Sequence, residues 1–240
     1  MLIGMTTLLR ALQDATGLPR RKAFAAIREG HLTVDGVAAL DPSSEYERGE
    51  LKLDGAALTP AGPPARVYLL LNKPPGVVST ASDELGRRGV LDLVPASLRD
   101  PGLHAVGRLD RDTSGLLLLT NDGDLTYRLT HPRHEIEKEY WVALWREADE
   151  AALHRLSSGV EIDGARRRAV GLERIDVPPF ELSITIREGR KRQVRRMFEL
   201  VGCAVTGLRR VREGTLELGS LPEGAVRPLA ASELQGLMGN

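Results

Sequence analysis

The stretch Ala56-Ala-Leu-Thr-Pro-Ala-Gly-Pro-Pro-Ala65 constrains the fold more than any other. Three prolines and a glycine among small residues make a poor helix or strand and a good linker. A 240-residue chain interrupted there divides into a small unit over 1–55, a linker over 56–66 and a larger unit over 67–240. With 42% hydrophobic and 28% charged residues the chain has the means to bury a core. Apolar runs such as Val67–Leu71 and Leu116–Leu119 fall far short of the roughly 20 residues of a membrane span. The opening Met1-Leu-Ile-Gly-Met-Thr-Thr7 carries no basic leader or small-residue cleavage site, so a cytoplasmic protein is expected. The single cysteine, Cys203, excludes an internal disulfide and a cysteine-based zinc cluster. Its Val-Gly-Cys-Ala-Val setting reads as a core thiol.

In the small unit, Thr6 or Thr7 is placed to cap a helix carrying Leu8, Leu9, Leu12 and Ala15 at helical spacing, with Gly17 ending it. A second helix starts at Pro19, turns Ala23, Ala26 and Ile27 inward and stops at Gly30. Short strands are expected around 31–34 and 50–53. Arg20, Arg21 and Lys22 crowd the start of the second helix, where cations oppose the helix dipole. Such a cluster reads as an anion-facing or simply a solvated surface. The large unit predicts strands over 67–72, 77–80, 103–106, 116–120, 138–144, 182–187 and 205–211, and helices over 123–129, 149–157 and 190–201. Strands that cluster without a regular βαβ rhythm predict an α+β domain with a mostly antiparallel or mixed sheet.

Two segments stand out chemically. Gly107-Arg-Leu-Asp-Arg-Asp-Thr-Ser-Gly115 puts two carboxylates and two arginines into a loop between apolar strands, a common place for catalytic groups. Asp112 begins a turn of the kind that bonds its own backbone. Asp110 precedes that turn, and Arg108 shares its face if the segment is extended. The second segment, Arg190 to Val201, sets Arg192, Arg195 and Arg196 on one helical face and Val194, Met197, Phe198 and Val201 on the other. Over 181–212 nine basic residues face three acidic ones, an excess that reads as a surface for a phosphate backbone. Lys138-Glu-Tyr140 opens a strand in which Trp141 and Trp145 read as packing residues, while Tyr140 is free to stack on a base. His131-Pro-Arg-His134 lacks further ligands at metal spacing. Neither a glycine-rich nucleotide loop nor a Gly-x-Ser-x-Gly elbow is present.

Together these motifs resemble a known family. Gly107-Arg-Leu-Asp110 followed by Thr113-Ser-Gly-Leu-Leu-Leu-Leu-Thr-Asn-Asp-Gly123 is similar to the signature of bacterial ribosomal pseudouridine synthases of the small-subunit-A/large-subunit-B type. Leu71-Asn-Lys-Pro-Pro-Gly-Val-Val-Ser-Thr80, Glu137-Lys-Glu-Tyr140 and Glu188-Gly-Arg-Lys-Arg-Gln-Val-Arg-Arg-Met197 match further family motifs in order. Thr7 to Asp54 resembles an S4-type RNA-binding domain, with Arg20-Arg-Lys-Ala23 at its basic helix start. The resemblance implies isomerisation of a uridine in ribosomal RNA without a cofactor or metal. It implies that Asp110 attacks or stabilises the electron-poor sugar carbon, and that the target nucleotide is flipped from its helix. Arg108 would fill the vacated stack, Tyr140 would stack on the flipped base, and Arg195 would pair with Asp110. Lys73, Arg20, Arg21, Lys22, Arg190, Lys191, Arg192 and Arg196 are the expected RNA-facing cations.

Glu135 to Tyr140 and Arg227-Pro-Leu229 look more like the large-subunit-B branch, which favours 23S over 16S rRNA, free or within an assembly intermediate. A monomer is expected. The rival class is a non-catalytic RNA-binding or ribosome-assembly protein, in which Asp110, Tyr140 and Arg195 would have no reason to occur together. The formal net charge of zero hides the basic strip: the excess of six over 181–212 is cancelled by small acidic excesses elsewhere.

Overall fold

The computed structural model describes residues 6–58, 65–80, 86–100 and 102–239. The chain divides into two compact units, the break falling between Arg66 and Val67.

In the first unit Thr7 caps the helix Leu8–Thr16 by accepting from the Arg10 amide, and Gly17 ends it in the left-handed conformation. The second helix is Arg20–Arg28, with Pro19 standing just outside it as the cap rather than as its first helical residue. Leu8, Leu9, Leu12, Ala23 and Ile27 meet Leu32 and Leu51 in one apolar cluster. The sheet beneath has four strands in the order Val37–Ala38, Leu32–Val34, Leu51–Leu53, Ala56–Leu58. The last of these corrects the expected linker: Ala56, Ala57 and Leu58 pair with Leu53, Lys52 and Leu51. Small residues that read as linker are tolerated here because the strand is an edge with exposed side chains.

The second unit is a mixed sheet flanked by helices, an α+β architecture. Its strands run in the order Gly171–Val177, Phe180–Ile186, Lys138–Leu144, Val205–Glu213, Ser114–Thr120, Tyr68–Lys73, Val226–Pro228. Leu216–Glu217 pairs with Val205–Glu213, and His104–Ala105 with Ser114–Thr120. The run of four leucines explains the centre of the sheet. Leu117 and Leu119 enter one apolar cluster with Val142, Ile184 and Phe198. Leu116 and Leu118 enter a second with Leu70, Leu125 and Leu129. A strand covered on both faces is apolar at every position, so alternation is lost there. The helix Gln193–Leu200 buries Val194, Met197 and Phe198 against the first cluster. The helices Gly123–Thr130 and Ala231–Met238 bury Leu125, Leu129 and Leu237 against the second.

Among the described residues one pairing between strands of this sheet is parallel: Arg209 and Arg210 lie beside Ser114 and Gly115. Gly115 is what permits it. Its φ is +104°, and a Cβ there would stand 2.1 Å from the Arg210 carbonyl oxygen, a separation no side chain tolerates.

Several expectations need correction. Residues 77–80 form no strand; Val78 makes only an isolated bridge to Gly89. The helix expected from Arg190 begins at Gln193, because Arg192 adopts a left-handed φ of 52°. Trp141 packs beside Phe180, but Trp145 lies past the end of its strand and is 81% exposed, not packed. The strands Gly171–Val177 and Val226–Pro228 were hidden by their polar edge character.

Candidate active site

The segment 107–113 leaves the His104–Ala105 strand and enters Ser114–Thr120 through a tight turn closed by Thr113 N–H donating to the Asp110 carbonyl, 3.0 Å. The loop is anchored from two sides. The Ser79 hydroxyl donates to the Leu109 carbonyl (2.8 Å) and accepts from the Leu109 amide (3.1 Å). Beneath the turn, the Lys73 ammonium donates to the carbonyls of Thr113 (2.8 Å), Pro74 (3.0 Å) and Arg111 (3.3 Å).

Lys73 is therefore not an RNA-facing cation. It is fully buried, and its strand delivers it to the underside of the loop that carries Asp110. Burial lowers its pKa to about 8, against the opposing pull of Asp112 and Asp110. An unfolded chain holds the same proton up to about 10.4. Between those values the unfolded state binds more protons, so this residue makes stability rise with pH. Lys73→Met takes a donor from the Thr113 and Pro74 carbonyls but relieves the cost of burying the ammonium, and the Arg111 carbonyl keeps the Gly76 amide (2.7 Å). The substitution should abolish the rise between about pH 8 and 10, which thermal melts of the two proteins across that range would reveal.

The site lies where the parallel seam meets the two helical layers. A cleft of about 440 Å³ is lined by Arg108, Asp110, Tyr140, Arg190, Lys191 and Arg192, among others. Arg108 and the three residues 190–192 are exposed on its rim, and Asp110 is half-buried. Tyr140 is 7% exposed. Strand alternation turns it with Lys138 and Val142 toward this side, and burial pushes its phenol up while Arg210 pulls it down.

Behind Tyr140 stands a charged group that sequence reasoning missed. Arg210 lies opposite Tyr140 across the ladder and is 2% exposed. Its Nε donates to the Leu116 carbonyl (2.8 Å), and Nη2 lies 3.2 Å from Glu213. Burial works against the Arg210 charge, but Glu213 and Tyr140 more than restore it. Lys138 sits 3.5 Å from the other oxygen of Glu213, its pKa lowered by burial. In the sequence, Arg209-Arg-Val-Arg212 reads as one basic run. Only the strand register separates the buried Arg210 from its half-buried neighbours.

Arg195 also departs from expectation. It is 5% exposed and makes its ion pair with Asp112 at 3.2 Å, not with Asp110. Bonds from its guanidinium to the carbonyls of Val205 (3.0 Å) and Asp112 (3.2 Å) fix it two residues past Asp110 in the turn. Arg192 reaches Asp112 too, at 3.3 Å, so this carboxylate holds the arginine segment rather than bonding its own backbone. Arg196 points elsewhere, paired through both guanidinium nitrogens with Asp163 (2.7 and 2.8 Å). Arg20, Arg21 and Lys22 are exposed in the first turn of their helix in the other unit.

A half-buried carboxylate and a buried tyrosine thus share one cleft with a cationic rim. Comparison with known proteins gives the class. Residues 67–200 match the family model described as RNA pseudouridylate synthase. An uncharacterised RNA pseudouridine synthase of Mycobacterium leprae is 37% identical, covering 98% of this chain and 93% of that one. The ribosomal large subunit pseudouridine synthase B of Bacillus subtilis is 34% identical over 97% and 96% of the two chains. The ribosomal small subunit pseudouridine synthase A of Vibrio cholerae is also 34% identical, over 94% and 96%. A crystal structure of a pseudouridylate synthase superposes with a TM-score of 0.68 at 34% identity, covering 96% and 99%. The chain belongs to the RNA pseudouridine synthase family and is an isomerase of that class.

Proposed function

We propose that this enzyme converts a specific uridine of 23S rRNA to pseudouridine in the cleft that holds Asp110 and Tyr140. The observation that carries the reading is that both side chains line one cavity whose rim is Arg108 and Arg190 to Arg192. The target nucleotide leaves its helix, because a stacked uridine is unreachable. Arg108, exposed beside Asp110, takes the vacated place in the stack. The uracil lies against Tyr140, and the Asp110 carboxylate captures the sugar carbon as the bond to nitrogen breaks. The base turns, carbon 5 displaces the Asp110 carboxylate from the sugar carbon, and as carbon 5 releases its proton to solvent the freed ring nitrogen takes one up. Asp112 keeps Arg195 and Arg192 beside the loop, so Arg195 positions the turn rather than contacting the nucleophile. The helix pair of the first unit, with Arg20, Arg21 and Lys22 exposed, supplies S4-type contacts to the same RNA.

One relative named for the large subunit and one named for the small are each 34% identical, so the 23S preference is argued from Glu135 to Tyr140 and Arg227 to Leu229. Carbodiimide mapping of both rRNAs in wild-type and deletion strains tests it. One pseudouridine missing from 23S is expected; a mark missing from 16S would move the target, and no missing mark would overturn the reading.

Cations at the cleft rim make RNA affinity fall with salt. Arg196 is neutralised by Asp163, so its removal should change little. Replacing Arg190 and Lys191 with alanine should reduce the slope of log affinity against log salt by about 1–2. Filter binding across a salt series would measure it, and an unchanged slope would place the phosphate contacts elsewhere.

A further inference from the structure

We propose that Tyr127, His131, Arg133 and His134 form a stacking platform for an unpaired base of the RNA next to the target uridine. The inference rests on the RNA-modifying reading above and extends it to a second nucleotide.

The platform is built where the helix Gly123–Thr130 gives way to the short turn Pro132–His134. Tyr127 and His131 are one helical turn apart, and their ring centres are 4.7 Å apart. His134 stands edge-on to both rings, at 5.9 and 6.2 Å. The Arg133 guanidinium carbon sits 4.9 Å from the centre of the Tyr127 ring, within cation–π range. Hydrogen bonds hold the group together: Arg133 N–H donates to His131 Nδ1 (3.3 Å), and Arg133 Nε donates to His134 Nε2 (3.1 Å). Each bond uses a histidine nitrogen as acceptor, which requires uncharged rings.

Three features point to a ligand. The group is exposed: Tyr127 shows 46% of its surface, and His131 and Arg133 are also open to solvent. It therefore contributes little to the core, although four planar groups are fixed in mutual contact. It is also continuous with the site, since Thr130, His131 and Pro132 line the cleft that holds Arg108 and Asp110. Finally, its chemistry suits RNA: aromatic rings and arginine planes are what unstacked bases lie against, and Arg133 supplies a charge for the phosphate beside that base. Flipping one nucleotide unstacks its neighbour, and that neighbour is the occupant the platform fits.

The test uses full-length protein and a 23S fragment that the wild type modifies. Binding is measured in an Asp110→Asn background to prevent turnover. Tyr127→Ala is expected to weaken binding by about 5- to 100-fold, the range for one lost base stack, without changing the salt slope. Tyr127→Phe, which keeps the ring, should restore it. An abasic nucleotide beside the target uridine should impose a similar loss on the parent protein and little further loss on Tyr127→Ala. Unchanged binding by Tyr127→Ala, or losses that simply multiply, would overturn the platform while leaving the enzyme's activity intact. An Asp110-intact protein that modifies no rRNA would overturn the functional reading and the platform together.

Discussion

Asp110→Asn protein is expected to bind its RNA within a few-fold of wild type yet release tritium from carbon-5-labelled uridine at least about 10⁴-fold more slowly, as loss of a nucleophile does. An amide has the size of the carboxylate but cannot form the bond to the sugar carbon. The local structure should survive the change. The backbone on either side is held by Ser79, Lys73 and the Thr113 amide, none of which uses the Asp110 side chain. Loss of catalysis with retained binding and an unaltered melting temperature is thus the expected signature. Undiminished tritium release would remove Asp110 from the reaction and revive the rival class, an RNA-binding protein without chemistry.

The second large effect is on stability. Glu213→Ala would leave Arg210 and Lys138 beneath Tyr140 without their shared carboxylate. Removing one partner of a buried ionic group costs about 3–5 kcal/mol, because a desolvated charge is stranded. For a domain of this size that corresponds to a fall in melting temperature of roughly 6–20 °C. Replacing Arg210 and Glu213 together by methionine should recover much of this loss, since an apolar pair carries no desolvation penalty. Lys138, closer to the surface, can then turn its ammonium to water. Activity should not recover with stability, because Tyr140 would still lack the charged partner that stands opposite it across the ladder. A double variant as unstable as Glu213→Ala would show that the ionic group is not the source of the effect.

Legibility in the sequence followed locality. The Thr7 cap, the Gly17 stop, the core helix Gly123–Thr130 and the strand Lys138–Leu144 are written in neighbouring residues, and they form as the local pattern requires. Asp110, Tyr140 and Arg108 share the cleft that their motifs suggested. What could not be read depends on register across the sheet. Lys73 reads as a surface cation but becomes a buried staple because Tyr68–Lys73 pairs directly with the strand leaving the loop. Arg195 meets Asp112, not Asp110, because Val205 fixes its guanidinium from a strand ten residues away. Ala56 to Leu58 became a strand because an edge asks for little of its side chains.

The parallel seam at Gly115 and Arg210 also has a bearing on synthesis at the ribosome. The two residues lie side by side in space but 95 positions apart in the chain. A nascent polypeptide therefore displays its Asp110 loop long before it has the strand that backs the tyrosine, and long-range strand pairing is the slow part of folding. Chains truncated before that strand hold Asp110 without a cleft around it. Competence to modify RNA thus arrives in one step, with the closing of the sheet, rather than growing as the polypeptide emerges.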